Sequence, residues 1–359
     1  MKNLDQTAAQ GKGRILYLDV LNIMSAVAVI FLHSTCNFHS FTMTRSWVTS
    51  CFAQCALYWA VPVFVMCTGA TLFDYGKKYD TPEFFRKRVS KVVIPLLFWS
   101  VFFIVFKFAK GELAVSGPPA AFFLNAFFSS QAAPIYYFLF TIIGVYLTLP
   151  VLTPLAAPRY RSTLWYAVIV MFVTQSVLPV AFQAVGVTYN SNLSILFNGY
   201  LIHVILGYLL STQEVSAQRR YMVYAAAVLS VLLRFLYTWK ASFAAGEIDY
   251  LFSGYAQFHA VLSAAAVFLF VKQVFSDDRW SARFRKNTGI LAGYSFGVFL
   301  LHREILAIIC RHTDPSGASW QYRLFGALGT YVITLFVVAV LKKIPGIRKL
   351  VPLALESRI

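Results

Sequence analysis

Apolar runs long enough to cross a hydrocarbon core recur from one end of this 359-residue chain to the other. A bilayer core of roughly 30 Å needs about 20 residues of helix, and backbone polar groups in lipid must be satisfied within the spanning structure itself. Ten such runs stand out, near residues 15–35, 51–72, 89–109, 134–155, 162–185, 194–211, 221–239, 254–275, 289–311 and 322–342. The expected fold is therefore an all-α polytopic membrane protein of about ten transmembrane helices. Composition agrees: 59% of residues are apolar and 13% charged, and the mean hydropathy is +0.66, more than a water-soluble surface could accommodate. No linker, low-complexity tract or clear internal repeat interrupts the series, so residues 1–359 read as a single membrane domain. The first dozen residues are polar and the first apolar run has the length of a full span, unlike a cleaved signal peptide.

A net charge of +17 raises the question of nucleic acid, and its distribution answers it. Taking the spans in order, 23 of the 31 cations fall on the N-terminus, the even-numbered loops and the C-terminal tail. Lys2, Lys12, Arg14 and Arg358 are among them. Six (Arg45, Lys107, Lys110, Lys240, Arg311 and Arg323) fall on the opposite side, and Arg234 and Arg303 lie inside spans. Such asymmetry is the positive-inside signature, which places both termini in the cytoplasm. The surplus is topological, and the lipid bilayer rather than nucleic acid is the expected partner. Cys36, Cys51, Cys55, Cys67 and Cys310 are odd in number and lack the spacing of a metal knuckle or redox pair; they read as small packing residues.

Ionisable residues inside a membrane are costly and point to function. At about 1.5 Å per residue, His33, Arg234 and His302 lie in the outer parts of their spans. His203 and His259 fall early in two inward-running spans, and Glu304 follows His302 by two residues. Five helices contributing histidine or charge at one depth imply a shared wet cavity. Singly, each histidine more often serves a helix–helix hydrogen bond than catalysis, and His39 and His312 read as outer-loop residues without signal. No metal site is expected.

The first span says more. Asn22 and His33 are eleven residues apart, which on a helix is within about 20° of three full turns and about 16 Å of rise. They share a face with Ala26 and Val29, and Ser25 lies at its edge. A small-residue stripe between two polar groups could wall a narrow channel, and it suits close helix packing equally well. Ahead of the third span, Lys77, Lys78, Arg86, Lys87, Arg88 and Lys91 cluster, with Pro95 inside the apolar run. That cluster reads as an inside anchor and kink, or as a patch for phosphate oxygens.

These stretches together resemble the membrane acyltransferase 3 family, integral membrane O-acyltransferases that modify cell-surface carbohydrates. The resemblance rests on "YLDVLNIMSAVAVIFLHS", "VPVFVMCTGATLFDYGKKY", "FFRKRVSKVVIPLLFWS", "PIYYFLFTIIGVYLTLPVLTPL", "GYLIHVILGYLL" and "YSFGVFLLHREIL", spread in order along nearly the whole chain. The family hallmark in the first helix is Arg, ten residues, then His; here Asn22 stands at the arginine position. An amide lacks the fixed charge and five-donor fork of guanidinium, so Arg14 or Lys91 is the expected replacement for the missing charge.

The resemblance implies a multi-pass protein of a bacterial cytoplasmic membrane, an acyl-CoA donor (acetyl-CoA by default) on the cytoplasmic side, and a carbohydrate hydroxyl acceptor outside. Asn22, Arg14, Lys77, Lys78, Arg86, Lys87, Arg88 and Lys91 are the expected donor-binding residues. His33 is the expected general base or acyl carrier, assisted by His302 and Glu304. Two other classes suit the same sequence: a small-molecule or glycan transporter, and a non-catalytic partner in surface-polymer export. A transporter would favour inverted repeats and paired broken helices, which are not evident here.

Overall fold

The computed structural model describes residues 14–352 except 114–116, 132, 195–198, 277–278 and 315; Lys2, Lys12 and Arg358 lie outside the described residues. Among these, nine helices are long and apolar enough to cross a membrane. They are α1 (Leu16–Ser34), α2 (Arg45–Lys77), α3 (Thr81–Ala109), α5 (Pro134–Ala156), α6 (Pro158–Ala184), α8 (Ala217–Ala245), α9 (Phe258–Phe275), α10 (Ala282–Thr313) and α11 (Tyr322–Leu341). Two shorter apolar helices, α4 (Pro119–Phe128) and α7 (Leu201–Thr212), complete the bundle, and a single turn, α12 (Ile347–Leu350), follows α11. The chain is an all-α, multi-pass membrane protein.

Helix α1 occupies the centre, packed by α2, α9, α10 and α11. Its residues are mostly small or aliphatic, which lets four neighbours approach it. The periphery is different. Leu97, Phe98, Val101, Phe102, Val105 and Phe106 of α3 point outward, as do Leu229, Leu232, Leu233 and Leu236 of α8. Such faces would be a liability in water and are the stable arrangement against lipid.

The sixth run departs from expectation. Its helix, α7, has 12 residues, a rise of about 18 Å, too short to cross alone. Tyr189 and Ser194, ahead of it in the chain, bond instead to the interior of α6: the Tyr189 hydroxyl donates to the carbonyl of Thr174 (2.6 Å) and Ser194 Oγ to the same oxygen (3.0 Å). Non-helical backbone at membrane depth is tolerated where protein buries it or where it lines a cavity. At its other end α7 is capped by Lys272 of α9, whose ammonium donates to the carbonyls of Leu210 (3.0 Å), Ser211 (3.3 Å) and Gln213 (3.0 Å). Lys272→Met leaves those helix-terminal carbonyls unsatisfied and should destabilise the protein by about 1–3 kcal/mol, read as a lower unfolding temperature in detergent.

Prolines accompany the irregularities in α2, α3 and α6, whereas the π turn Tyr322–Gly326 of α11 has none. Pro62 cannot donate to Tyr58 four residues earlier, and α2 breaks there, with Tyr58 and Trp59 out of regular helix. Pro95 and Pro179 each follow a widened π turn, Val89–Val93 in α3 and Phe172–Val177 in α6. At Pro95, where a kink is expected, the helix carries a π turn just ahead of the proline, next to Arg88. The tail folds back on the bundle: Trp99 Nε1 donates to the carbonyl of Leu350 (2.9 Å), and Val351 is fully buried.

Candidate active site

Four helices present one face each to a common axis. On α1 the stripe is Asn22, Ala26, Val29 and His33; on α2 it is Tyr58, Val61, Phe64, Thr68 and Thr71. On α5 it is Ile135, Phe138, Ile142 and Tyr146, and on α10 Ser295, Phe299 and His302. These spacings of three and four residues are those of a single helical face. Two cavities open along the axis. One, of about 200 Å³, is lined by Val29, His33, His39, Gln54, Tyr58 and Tyr255, with Phe64, Phe138 and Phe299 among its other walls. The second, of about 100 Å³, is lined by Asn22, Cys67, Thr68, Thr71, Tyr146 and Ser295, and again by Phe64, Phe138 and Phe299. Following the helices along their lengths, the first lies toward the ends bearing His39 and the second toward the ends bearing the basic cluster.

His33 lines the larger cavity, and the buried imidazole of His302 lies behind it, 5.4 Å away ring centre to ring centre and tilted by 33°. His302 Nδ1 lies 3.0 Å from the carbonyl of Val298 and 2.9 Å from that of Phe299. A carbonyl accepts only, so Nδ1 carries the proton and Nε2 presents its lone pair. Nε2 is buried and has no hydrogen-bond partner among the described residues. The His33 ring faces the cavity, and no hydrogen bond ties it to another described residue. The opposite wall is aromatic: Tyr58 and Tyr255 stack at 4.3 Å, and the Tyr58 hydroxyl donates to the carbonyl of Ser253.

In the smaller cavity Asn22 Nδ2 donates to the carbonyl of Leu18 (2.9 Å), and the buried hydroxyl of Ser295 has no hydrogen-bond partner among the described residues. Behind Tyr146 lies Arg88, the one buried member of the basic cluster at 5% exposure. Its guanidinium sits 5.8 Å from the Tyr146 ring and 5.5 Å from that of Phe84. Its Nε and Nη1 are buried and have no hydrogen-bond partner among the described residues.

The family model described as an acyltransferase domain matches residues 15–342. The chain belongs to the membrane acyltransferase 3 family. No curated protein and no solved structure gives a significant match.

In this acyltransferase the sequence-predicted residues separate into groups. His33 and His302 come together, and Asn22 shares α1 with His33 but opens into the other cavity. Glu304 does not join the histidines: its carboxylate lies 3.6 Å from Lys107 Nζ. Two residues along a helix is 200° around it, so Glu304 and His302 cannot share a face. Arg14 does not face the Asn22 cavity either. It makes a forked pair with the buried Asp19, Nη2 to Oδ1 at 2.7 Å and Nε to Oδ2 at 2.9 Å. Lys77 pairs with Asp74 (3.3 Å) and Lys87 with Glu83 (2.9 Å), while Arg86 lies 3.7 Å from Glu83 and is 79% exposed. Lys78 is exposed and Lys91 half-buried.

The single wet layer expected from five helices resolves into a cavity and its backing. His203 Nε2 donates to the carbonyl of Tyr255 (2.9 Å), and His259 Nε2 to Gln257 Oε1 (3.0 Å). Arg234 lies 3.8 Å over the Tyr58 ring. All three are buried packing groups that hold the tyrosine wall. His39, read as a loop residue without signal, lines the cavity instead. Burial, and secondarily the Arg303 charge, hold its imidazole below the ordinary value, so it is neutral at neutral pH. Its location depends on how the Cys36–His39 turn closes over α1, which no periodicity encodes. Asp19 was also missed; an acid in the first turn of an apolar helix was its signal.

Proposed function

We propose that this acyltransferase moves a short acyl group, acetyl by default, from cytoplasmic acyl-CoA to a hydroxyl of an extracytoplasmic carbohydrate. On this reading the face bearing the basic cluster is cytoplasmic, in keeping with the charge asymmetry, and the membrane is the bacterial cytoplasmic membrane. The observation that carries the assignment is His33: an imidazole turned into a cavity, without a hydrogen-bond partner among the described residues and beside a second histidine of fixed tautomer. A packing histidine in lipid finds a partner, as His203 and His259 do. His33 is left free to accept a proton.

In the proposed step His33 takes the proton from the acceptor hydroxyl as its oxygen attacks the thioester carbonyl carbon. The carbon–sulfur bond breaks, and the departing thiolate of CoA recovers the proton from His33. His302 Nε2 offers a second acceptor at the same place. Arg88 is the donor-side cation, taking over the charge that Asn22 does not supply, since Arg14 is neutralised by Asp19. Its unpartnered N–H groups and the Ser295 hydroxyl suit the polar donor.

Incubating purified protein with radiolabelled acetyl-CoA and a glycan acceptor tests the assignment. Label on acceptor or protein supports it. Solute flux in liposomes lacking acyl-CoA, with no label transferred, contradicts it and indicates a transporter. Arg88→Ala should raise KM for acyl-CoA about 10–100-fold, the cost of a charged hydrogen bond of about 1.5–3 kcal/mol, with kcat less affected; Arg88→Lys should recover part of it.

A further inference from the structure

Phe64, Phe138 and Phe299 belong to the walls of both cavities. They come from three helices, α2, α5 and α10, and meet on the axis between the two cavities. Phe138 is the middle ring, 6.1 Å from Phe64 and 5.5 Å from Phe299. Phe299 is in turn 6.1 Å from the His302 ring. On the fourth side α1 contributes the buried Ala26 between Asn22 and Val29. The shared layer is therefore apolar. The cavity on one side carries Asn22, Thr68, Thr71 and Ser295; the other carries His33, His39, Gln54 and three tyrosines.

We propose that Phe64, Phe138 and Phe299 form a ring seal that separates a donor chamber from an acceptor chamber and sets which acyl groups reach His33. Phenyl rings offer water and ions no hydrogen bond, and an apolar constriction of this kind closes by dewetting. Asn22 and His33 are about 16 Å apart along α1, and the rings occupy the level between them. A thioester presented from the Asn22 side must therefore pass among the rings. A side-chain rotation of Phe138 or Phe299 opens the way for a slender arm with a small acyl group and closes behind it. The assignment of donor and acceptor to the chambers rests on the proposed function; the seal itself does not.

Cys67 is a native reporter, because it lines the donor chamber on the far side of the rings from His39. In protein reconstituted in vesicles, with Cys36, Cys51, Cys55 and Cys310 replaced by alanine, Cys67 is the only thiol. A membrane-impermeant methanethiosulfonate cation added on the His39 side should leave Cys67 unmodified, and Phe138→Ala should speed modification at least about tenfold by removing the apolar constriction. Phe64→Ala and Phe299→Ala should act in the same direction, and any of the three that elutes as a single monodisperse species suffices. Equal labelling rates in the ring-intact protein and the alanine variants, whether both fast or both unreactive, would overturn the seal. Labelling needs no catalysis, so a protein that transfers no acyl group yet keeps the labelling difference refutes the proposed function alone. Equal labelling in an active enzyme refutes the seal alone.

Discussion

Replacing His33 with alanine should lower acyl transfer by about 10²–10⁴-fold, the usual contribution of a positioned general base, in protein that still folds and inserts. The folding half of this expectation follows from the geometry. His33 has no hydrogen bond to another described residue, and its ring faces a cavity of about 200 Å³ rather than packed side chains, so truncation leaves no buried partner orphaned. The catalytic half follows from the placement of His302, whose protonated Nδ1 is fixed by the carbonyls of Val298 and Phe299. Its Nε2 can accept a proton but cannot donate one, so His302 supports proton removal at the same site. His312→Ala is the control. That ring is exposed near the end of α10, with Nδ1 on the carbonyl of Ile308 (2.8 Å), and transfer should be unchanged. Steady-state rates on monodisperse protein decide it. Wild-type transfer by the His33→Ala protein would remove His33 from the mechanism.

Gly69→Ala and Gly207→Ala should each destabilise the protein by about 3 kcal/mol or more, at the upper end of overpacking effects. Helices α2 and α7 form the most extensive helix pair in the bundle, and these glycines are where they touch. A Cβ at Gly69 would lie 1.9 Å from the carbonyl oxygen of Val204, and one at Gly207 2.0 Å from that of Met66. Neither obstacle is a flexible side chain; both are helix backbone, so relief requires the helices to separate along their whole contact. Small residues let membrane helices gain packing where no hydrophobic difference from lipid drives association. Separation would also misplace Phe64, Cys67 and Thr68, which border the cavities from the same stretch of α2. Gly144 and Gly329 have nothing within 4 Å of an added Cβ, and alanine there should be neutral or slightly stabilising by its helix propensity. Thermal unfolding in detergent separates the two pairs; equal melting shifts for all four would contradict the packing argument.

Much of the site was legible because helical periodicity fixes which residues share a face. The α1 stripe from Asn22 to His33 follows from spacing alone, and in the folded chain its two ends open into the two cavities. The pairing of His33 with His302 required only that both lie at similar depth on helices that pack. What spacing could have corrected is Glu304, since two residues on a helix never face the same way. Other features depended on long-range contacts. Ahead of the short α7, Thr174 receives Tyr189 and Ser194 from across the chain. The pairing of Arg14 is set by Asp19, and the burial of Arg88, unlike its five neighbouring cations, by its place against Phe84 and Tyr146. The three seal phenylalanines are invisible among 34, because nothing local marks a ring that faces an axis from one that faces lipid.

Vectorial transfer in sealed vesicles tests the account most directly. With acetyl-CoA confined to the face bearing Arg88 and a glycan acceptor confined to the face bearing His39, wild-type protein should acylate the acceptor and release CoA on the donor side, and His33→Ala protein should do neither. Acylation only when donor and acceptor share one face would contradict a reaction carried across the membrane.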